Sequence, residues 1–237
     1  MAGATIVRYQ RKKYKGRPLL IQKMKFNYYA TYSIENHQPI ASRFVIGSNV
    51  NDKAYISHHS AFEYYGLHNQ VFNIVYVASG KSFKEFEYDN ITYISVKAKS
   101  DKGVDKMPNK INVTNIERTV VDCIDDIGKA GGLEELLHCI GMVPFVNENI
   151  ILELLNEHDR QFLYQKTGYI LSMFKDQLSL SPAFFDKCKE QMGKSKRYLY
   201  NELKMTKNVY DEEWQLVTRA DARGLLDVES WKSTGDK

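Results

Sequence analysis

Hydrophobic and polar positions alternate loosely from Leu19 to Ser33, with Leu20, Gln22, Met24, Phe26 and Tyr28 two residues apart. That period predicts a strand or short hairpin with Lys23 and Lys25 pointing outward. Residues 1–18 show no helical period and read as basic coil. Gln38-Pro39 is expected to open a short helix with Ile40, Phe44 and Val45 on its apolar face and Gly47 at its end. A second short helix follows Tyr55-Ile56, with Ser57, or Ser60 together with Glu63, as its cap and Gly66 as its stop. Residues 72–77, 86–88 and 91–96 read as strands, the last two joined by the tight-turn pair Asp89-Asn90. Lys97–Lys110 reads as a charged loop, and Ile111–Val113 as a last strand.

The period then changes. Thr114 and Glu117 have capping-box spacing, and Ile116, Val120, Ile124 and Ile127 fall on one stripe of a helix. Gly128, Gly131 and Gly132 interrupt it before Leu133, Leu136, Leu137 and Ile140 begin another. Further helices are expected over 148–157, 159–175, 182–192 and 195–204, with Tyr210–Val217 as an edge strand. From Thr218 onward small and charged residues dominate, which suits a disordered tail or an expression remnant. Strands and helices are segregated, so the class is α+β, with a β-meander followed by a helical C-terminal half.

Composition sharpens this picture. The 237 residues include 16 Tyr and 11 Phe, ample for a packed core. No apolar run is long enough to cross a bilayer, and the first twenty residues lack a signal-peptide core. Cys123, Cys139 and Cys188 sit in apolar helical patterns and read as buried, reduced thiols of a cytoplasmic protein. Charge is lopsided. Residues 1–34 hold eight cations (Arg8, Arg11, Lys12, Lys13, Lys15, Arg17, Lys23, Lys25) and no acid, so a net charge of +4 leaves the remainder at −4. A basic segment interleaved with tyrosines, on a mildly acidic body, points to nucleic-acid phosphates.

Reaction chemistry finds less support. His58, His59 and His68 are metal candidates, but adjacent helical positions diverge by about 100°, and His59 with Glu63 makes only two ligands. Glu117, Asp122, Asp125 and Asp126 read as a solvated helix face, with Arg118 available for an ion pair in the core. No phosphate-cradling loop or activated nucleophile is present. The expectation is a non-enzymatic protein with no metal and no cofactor; the alternative is a nuclease-like, nucleic-acid-processing enzyme with an unrecognised active site.

Several of these pieces together resemble the AbiEi antitoxins of type IV toxin–antitoxin, or abortive infection, systems of phage defence. They are Tyr55-Ile-Ser-His-x-Ser-Ala with Gly66-Leu67, Thr114-Asn-Ile-Glu-Arg-Thr-Val-Val-Asp122, and Gly131-Gly132-Leu133 with Arg160 and Gly168-Tyr169. The similarity spans about residues 19–205. It implies a winged helix-turn-helix that represses its own operon and a body that counters a nucleotidyltransferase-like toxin. Leu19–Tyr32 then looks like wing strands. Two helices should precede a wing, and eighteen residues are too few for both, so the chain is either a shortened member or begins inside a longer protein. The implied organisation is a basic, partial DNA-binding module over 1–50, an antitoxin-like α+β domain over 51–210, and an edge strand with tail over 211–237. Its expected partners are operator DNA and the toxin. Arg11, Lys12, Lys13, Lys15, Arg17, Lys23 and Lys25 are the expected phosphate contacts.

Overall fold

The alternation around Leu19 folds as an antiparallel three-stranded sheet in the computed structural model of the protein, which describes residues 9–14, 17–25, 28–32, 34, 40–98, 100–201 and 207–226. Its strands are β1 (Tyr9–Tyr14), β2 (Arg17–Lys25) and β3 (Tyr28–Tyr32), so residues read as coil supply a strand. Arg11 pairs with Leu20 and Lys13 with Pro18, and the β2–β3 register shifts at a bulge between Lys23 and Lys25.

The described chain forms two compact units. One is drawn from residues up to Ile56, Phe72–Ser100 and Val104–Val113; the other from Ser57–Val71, Asp101–Gly103 and Thr114 onward.

The first unit contains, besides β1–β3, helix α1 (Arg43–Ser48) and strands β4 (Tyr55–Ile56), β5 (Ile74–Ser79), β6 (Phe86–Tyr88), β7 (Ile91–Lys97), β8 (Val104–Met107) and β9 (Ile111–Thr114). Strands β4–β9 lie in the order β6-β7-β5-β4-β9-β8. This is a mixed sheet, not a meander. The connection after β5 and the short β6 carry the chain back across, so β7 enters parallel to β5, and β4 likewise runs parallel to β9. Asp89 and Asn90, at φ 54° and 58°, make the tight turn between β6 and β7. The segment expected as a charged loop contains β8.

Helix α1 differs from expectation at both ends. Ser42 caps it by accepting the Val45 amide at 3.3 Å, and Gly47 lies inside rather than ending it. A Cβ on Gly47 would sit 2.8 Å from Ile56 and 3.0 Å from Val77, so glycine lets α1 approach the sheet. Ile56, Val75, Val77, Tyr93 and Val113 are fully buried.

The second unit is helical: α2 (His59–Tyr64), α3 (Ile116–Asp125), α4 (Leu133–Gly141), α5 (Glu148–His158), α6 (Gln161–Ser172) and α7 (Pro182–Gln191). The predicted stripes become its core, with Val120, Ile124, Leu136, Leu137, Ile140, Ile151 and Leu154 buried together. The helix expected over 195–204 is replaced at Arg197–Tyr198 by strand β10, where the Arg197 and Leu199 amides donate to the Gln215 and Val217 carbonyls. The single edge strand expected over 210–217 is a hairpin of β11 (Asn208–Asp211) and β12 (Leu216–Arg219), with β12 in the middle of a three-stranded sheet. Thr218 and Ala222 are buried, so the fold continues past the point where a tail was expected. Residues 227–237 lie outside the described residues.

The class is α+β, as the segregated pattern predicts, with seven helices among the described residues. None of them is long and apolar enough to cross a membrane.

Candidate functional site

The basic residues are brought together on paired strands. Arg11, Lys12 and Lys13 lie on β1, and Arg17, Lys23 and Lys25 on β2; the Lys15 position lies outside the described residues. Antiparallel pairing folds the basic run back on itself, with Lys12 opposite Leu19 and Tyr14 opposite Arg17. Six cations thus sit on two adjacent strands, where linear coil would have spread them.

The two sequence motifs build structure rather than an open site. Asn115, not Thr114, caps α3 by accepting the Arg118 amide at 2.9 Å. The Thr114 hydroxyl is engaged by Thr119 at 2.7 Å, and Glu117 accepts the Asn147 amide at 2.9 Å. Thr114 with Glu117 matches the capping-box spacing, but the adjacent Asn115 offers its own acceptor to the first turn and takes the cap. In α2 the cap position is His58, at φ 53°, while the Ser57 hydroxyl bonds its Nδ1 at 2.9 Å and Ser60 lies inside the helix. Gly66, at φ 72°, follows the end of α2 as expected.

Asp122 is not on a solvated face. It is 6% exposed and takes the Nε of Arg118 on both oxygens at 2.9 Å, and Arg118 also donates to the Lys102 carbonyl at 3.1 Å. The core ion pair open to Arg118 is therefore present. His158 Nε2 stands 3.9 Å from the same carboxylate. At the other end of α3, the buried Lys166 ammonium donates to the carbonyls of Ile124 at 3.3 Å and Asp125 at 2.9 Å. These are C-terminal helix carbonyls that have no partner within the helix. Burial pulls the Lys166 pKa down, with Asp125 and Asp126 partly opposing it. Arg160 pairs with Asp125. Burial also lowers His58, against the raising influence of Asp122.

The histidines weighed together as metal candidates in the sequence behave differently from one another. His59 Nε2 lies 2.9 Å from Glu135 Oε1, and the amides of Asn69 and Gln70 donate to that same oxygen at 3.0 Å each. Cys139, one turn further along α4, directs its thiol at it from 3.6 Å. Burial alone would raise Glu135, but the bonds from His59 and the two amides outweigh it and hold the carboxyl below its usual range. The Cys139 thiol is pushed well up by burial and by the adjacent carboxylate. Among the described residues, His59, Glu135 and Cys139 are the group whose three potential ligand atoms lie within 4.8 Å of one another; Glu117, Asp122, Asp125 and Asp126 do not converge in this way. Glu135 and Cys139 went unrecognised in sequence. The available signal was a Glu-x-x-x-Cys spacing, which puts both residues on one helix face.

Among the described residues, clefts open to solvent in each unit. In the helical unit Gly131, Gly132, Tyr200 and Arg219 line one of about 280 Å³, but Arg219 is already forked onto Asp221 at 2.7 Å and Glu134 at 3.1 Å. In the sheet unit Asn49, Asp52, Lys106, Lys110 and Asn112 line one of about 340 Å³.

No family model and no curated protein matches this chain. Among solved structures it is similar to the RV2827C protein from Mycobacterium tuberculosis, with a TM-score of 0.51 and 12% identity over 75% of this chain. The chain spans 66% of that protein's length. At that identity the likeness is one of fold.

Proposed function

We propose that this chain is a non-enzymatic DNA-binding autorepressor and the antitoxin of a type IV toxin–antitoxin pair, countering a nucleotidyltransferase-like toxin. The observation that carries the reading is the charge segregation. Residues 1–34 hold eight cations and no acid, and six of the seven nominated cations fall on the paired strands β1 and β2. Phosphate attraction by such a cluster is strong, sequence-independent and salt-sensitive. In this reading β2 and β3 are the wing of a DNA-binding module. Arg11, Lys12, Lys13, Lys15, Arg17, Lys23 and Lys25 position the phosphate backbone rather than read bases.

Two further observations support the antitoxin half. Two of the three pieces that carry the AbiEi resemblance fold as a strand leading into a helix, β4 into α2 and β9 into α3. Their polar side chains at Asn115, Glu117, Arg118, Thr119 and Asp122 are occupied in internal bonds, as suits a scaffold that presents surfaces.

The test has two arms. The full chain is titrated onto DNA from upstream of its own gene at several salt concentrations, with binding expected to weaken steeply as salt rises. Co-expression with a neighbouring nucleotidyltransferase-like gene is expected to restore growth. Failure of both arms would end this reading, and metal-dependent cleavage of the DNA probe would replace it with a nucleic-acid-processing enzyme.

A further inference from the structure

A buried carboxylate normally has both oxygens occupied, because an unpaired polar atom in the interior is costly. Glu135 is 2% exposed, yet only its Oε1 is used; among the described residues Oε2 is buried without a hydrogen-bond partner. Oε1, by contrast, carries the amides of Asn69 and Gln70, which fix the carboxylate plane from outside. His59 and Cys139, 1% and 0% exposed, face the same carboxylate. His68 stands beside this group, its ring centroid 6.3 Å from that of His59, and its buried Nδ1 also lacks a partner among the described residues.

We propose that His59, Glu135 and Cys139 form a binding site for a structural zinc-class divalent ion, with His68 beside His59 but outside the group of converging ligand atoms. Zinc takes imidazole nitrogen, carboxylate oxygen and thiolate sulfur at about 2.0–2.3 Å, so its ligand atoms stand roughly 3.3–3.8 Å apart. Measured to Oε1, the separation from His59 Nε2 is 2.9 Å, just below that range, and that from Cys139 Sγ is 3.6 Å, within it; the three ligand atoms lie within 4.8 Å of one another. Closing around an ion therefore needs shifts of a fraction of an ångström to about one. The charges balance. One thiolate and one carboxylate neutralise a divalent cation, neutral imidazole adds no charge, and binding releases the Cys139 proton to solvent. The mixed nitrogen, oxygen and sulfur set favours zinc over calcium or magnesium, which prefer oxygen alone. The two amides on Oε1 are the outer supports that such ligands usually have. An ion here ties α2 and the 69–70 turn to α4. This inference does not depend on the antitoxin reading.

Refolding the full chain with cobalt(II), a spectroscopic substitute for zinc, provides the test. The expected result is one equivalent of bound cobalt with a thiolate-to-metal charge-transfer band. C139S should abolish that band, whereas C123S and C188S should keep it; H59Q should weaken cobalt binding by about tenfold or more. Sub-stoichiometric uptake by the wild-type chain, uptake without a thiolate band, or a band that survives C139S would each overturn the site. If C139S does not fold, the wild-type spectrum and the H59Q titration decide the matter.

Discussion

The sheet unit and the helical unit treat buried polarity in opposite ways. In the first, the buried polar side chains among the described residues are neutral hydroxyls, Ser48, Ser79 and the tyrosines Tyr32, Tyr55, Tyr88 and Tyr93, with no buried charged group. In the second, His58, His59, Arg118, Asp122, Glu135, Gln165 and Lys166 are all buried. A sheet pairs its backbone groups with its neighbours, so its core can remain apolar. Packed helices instead bring their ends, with unpaired amides and carbonyls, into the interior, where side chains must serve them. Lys166 on the α3 carbonyls is an instance, and Gln165 Nε2 serves the Trp214 carbonyl of the β11–β12 turn in the same way, at 2.9 Å. Stability of the second unit should therefore hinge on a few charged groups, and that of the first on packing.

Removing one partner of the Arg118–Asp122 pair tests this contrast most severely. D122A leaves a guanidinium 2% exposed with its charge unmatched, and should cost about 3–5 kcal/mol in urea unfolding. Replacing both residues together, R118M with D122L, should recover most of that loss, because the penalty comes from the orphaned charge. A D122A cost below about 1 kcal/mol would show that water reaches the pair and erase the distinction between the units.

Glycine-to-alanine changes compare packing in the two units directly. A Cβ on Gly168 would overlap the six-membered ring of Trp214, a side chain fully inside the core. G168A should therefore cost about 3 kcal/mol, partly relieved by W214F. At Gly47 the nearest atom is the Ile56 Cδ1 methyl at 2.8 Å, the end of a flexible side chain, and G47A should cost nearer about 1 kcal/mol. Equal melting shifts for the two would mean that the sheet unit is as tightly set as the helical one.

Much of this was legible in the sequence, and the failures share a cause. The stripe Val120, Ile124, Ile127 and the pair Asp89-Asn90 are local signals, read within one turn or one hairpin, and the structure follows them. What could not be read was pairing at a distance. Parallel β5–β7 and β4–β9 contacts, which turn an apparent meander into a mixed sheet, depend on crossovers with no local mark. Glu135 lies 76 residues from His59, so neither residue announces the other. Arg197–Tyr198 looks helical until β12 supplies a ladder. Caps slipped by one residue because neighbouring Thr114 and Asn115 both offer a side-chain acceptor, and the one that caps α3 is Asn115.

DNA affinity should separate the units without disturbing either fold. Replacing Lys12 and Lys13 with alanine should weaken binding evenly across DNA sequences and flatten the slope of log affinity against log salt by about one for each phosphate that is no longer neutralised. The unfolding midpoint should stay unchanged. An unaltered salt slope would remove β1 from the interface and move the DNA to another surface of the chain.

The smallest expected effect lies at Asp126, where the helical unit's dependence on charge should appear as a pH dependence. Its side chain caps the turn at 127–130 by accepting the Lys129 amide at 3.2 Å, and it also pairs with the Lys129 ammonium. Burial by itself would raise the carboxyl, but the Lys129 bonds outweigh it, and the pKa lies below 3.8. Because the folded value is depressed, the stabilisation is fully present above the unfolded value and fades as pH falls through the folded one. D126N keeps an oxygen that can accept the Lys129 amide but removes the charge. Its stability should therefore fall below that of the wild type at about pH 6 by less than about 1 kcal/mol, and the gap should close as pH drops towards about 3. A gap that stays constant on acidification would place the loss in turn geometry and leave the Lys129 charge without a role there.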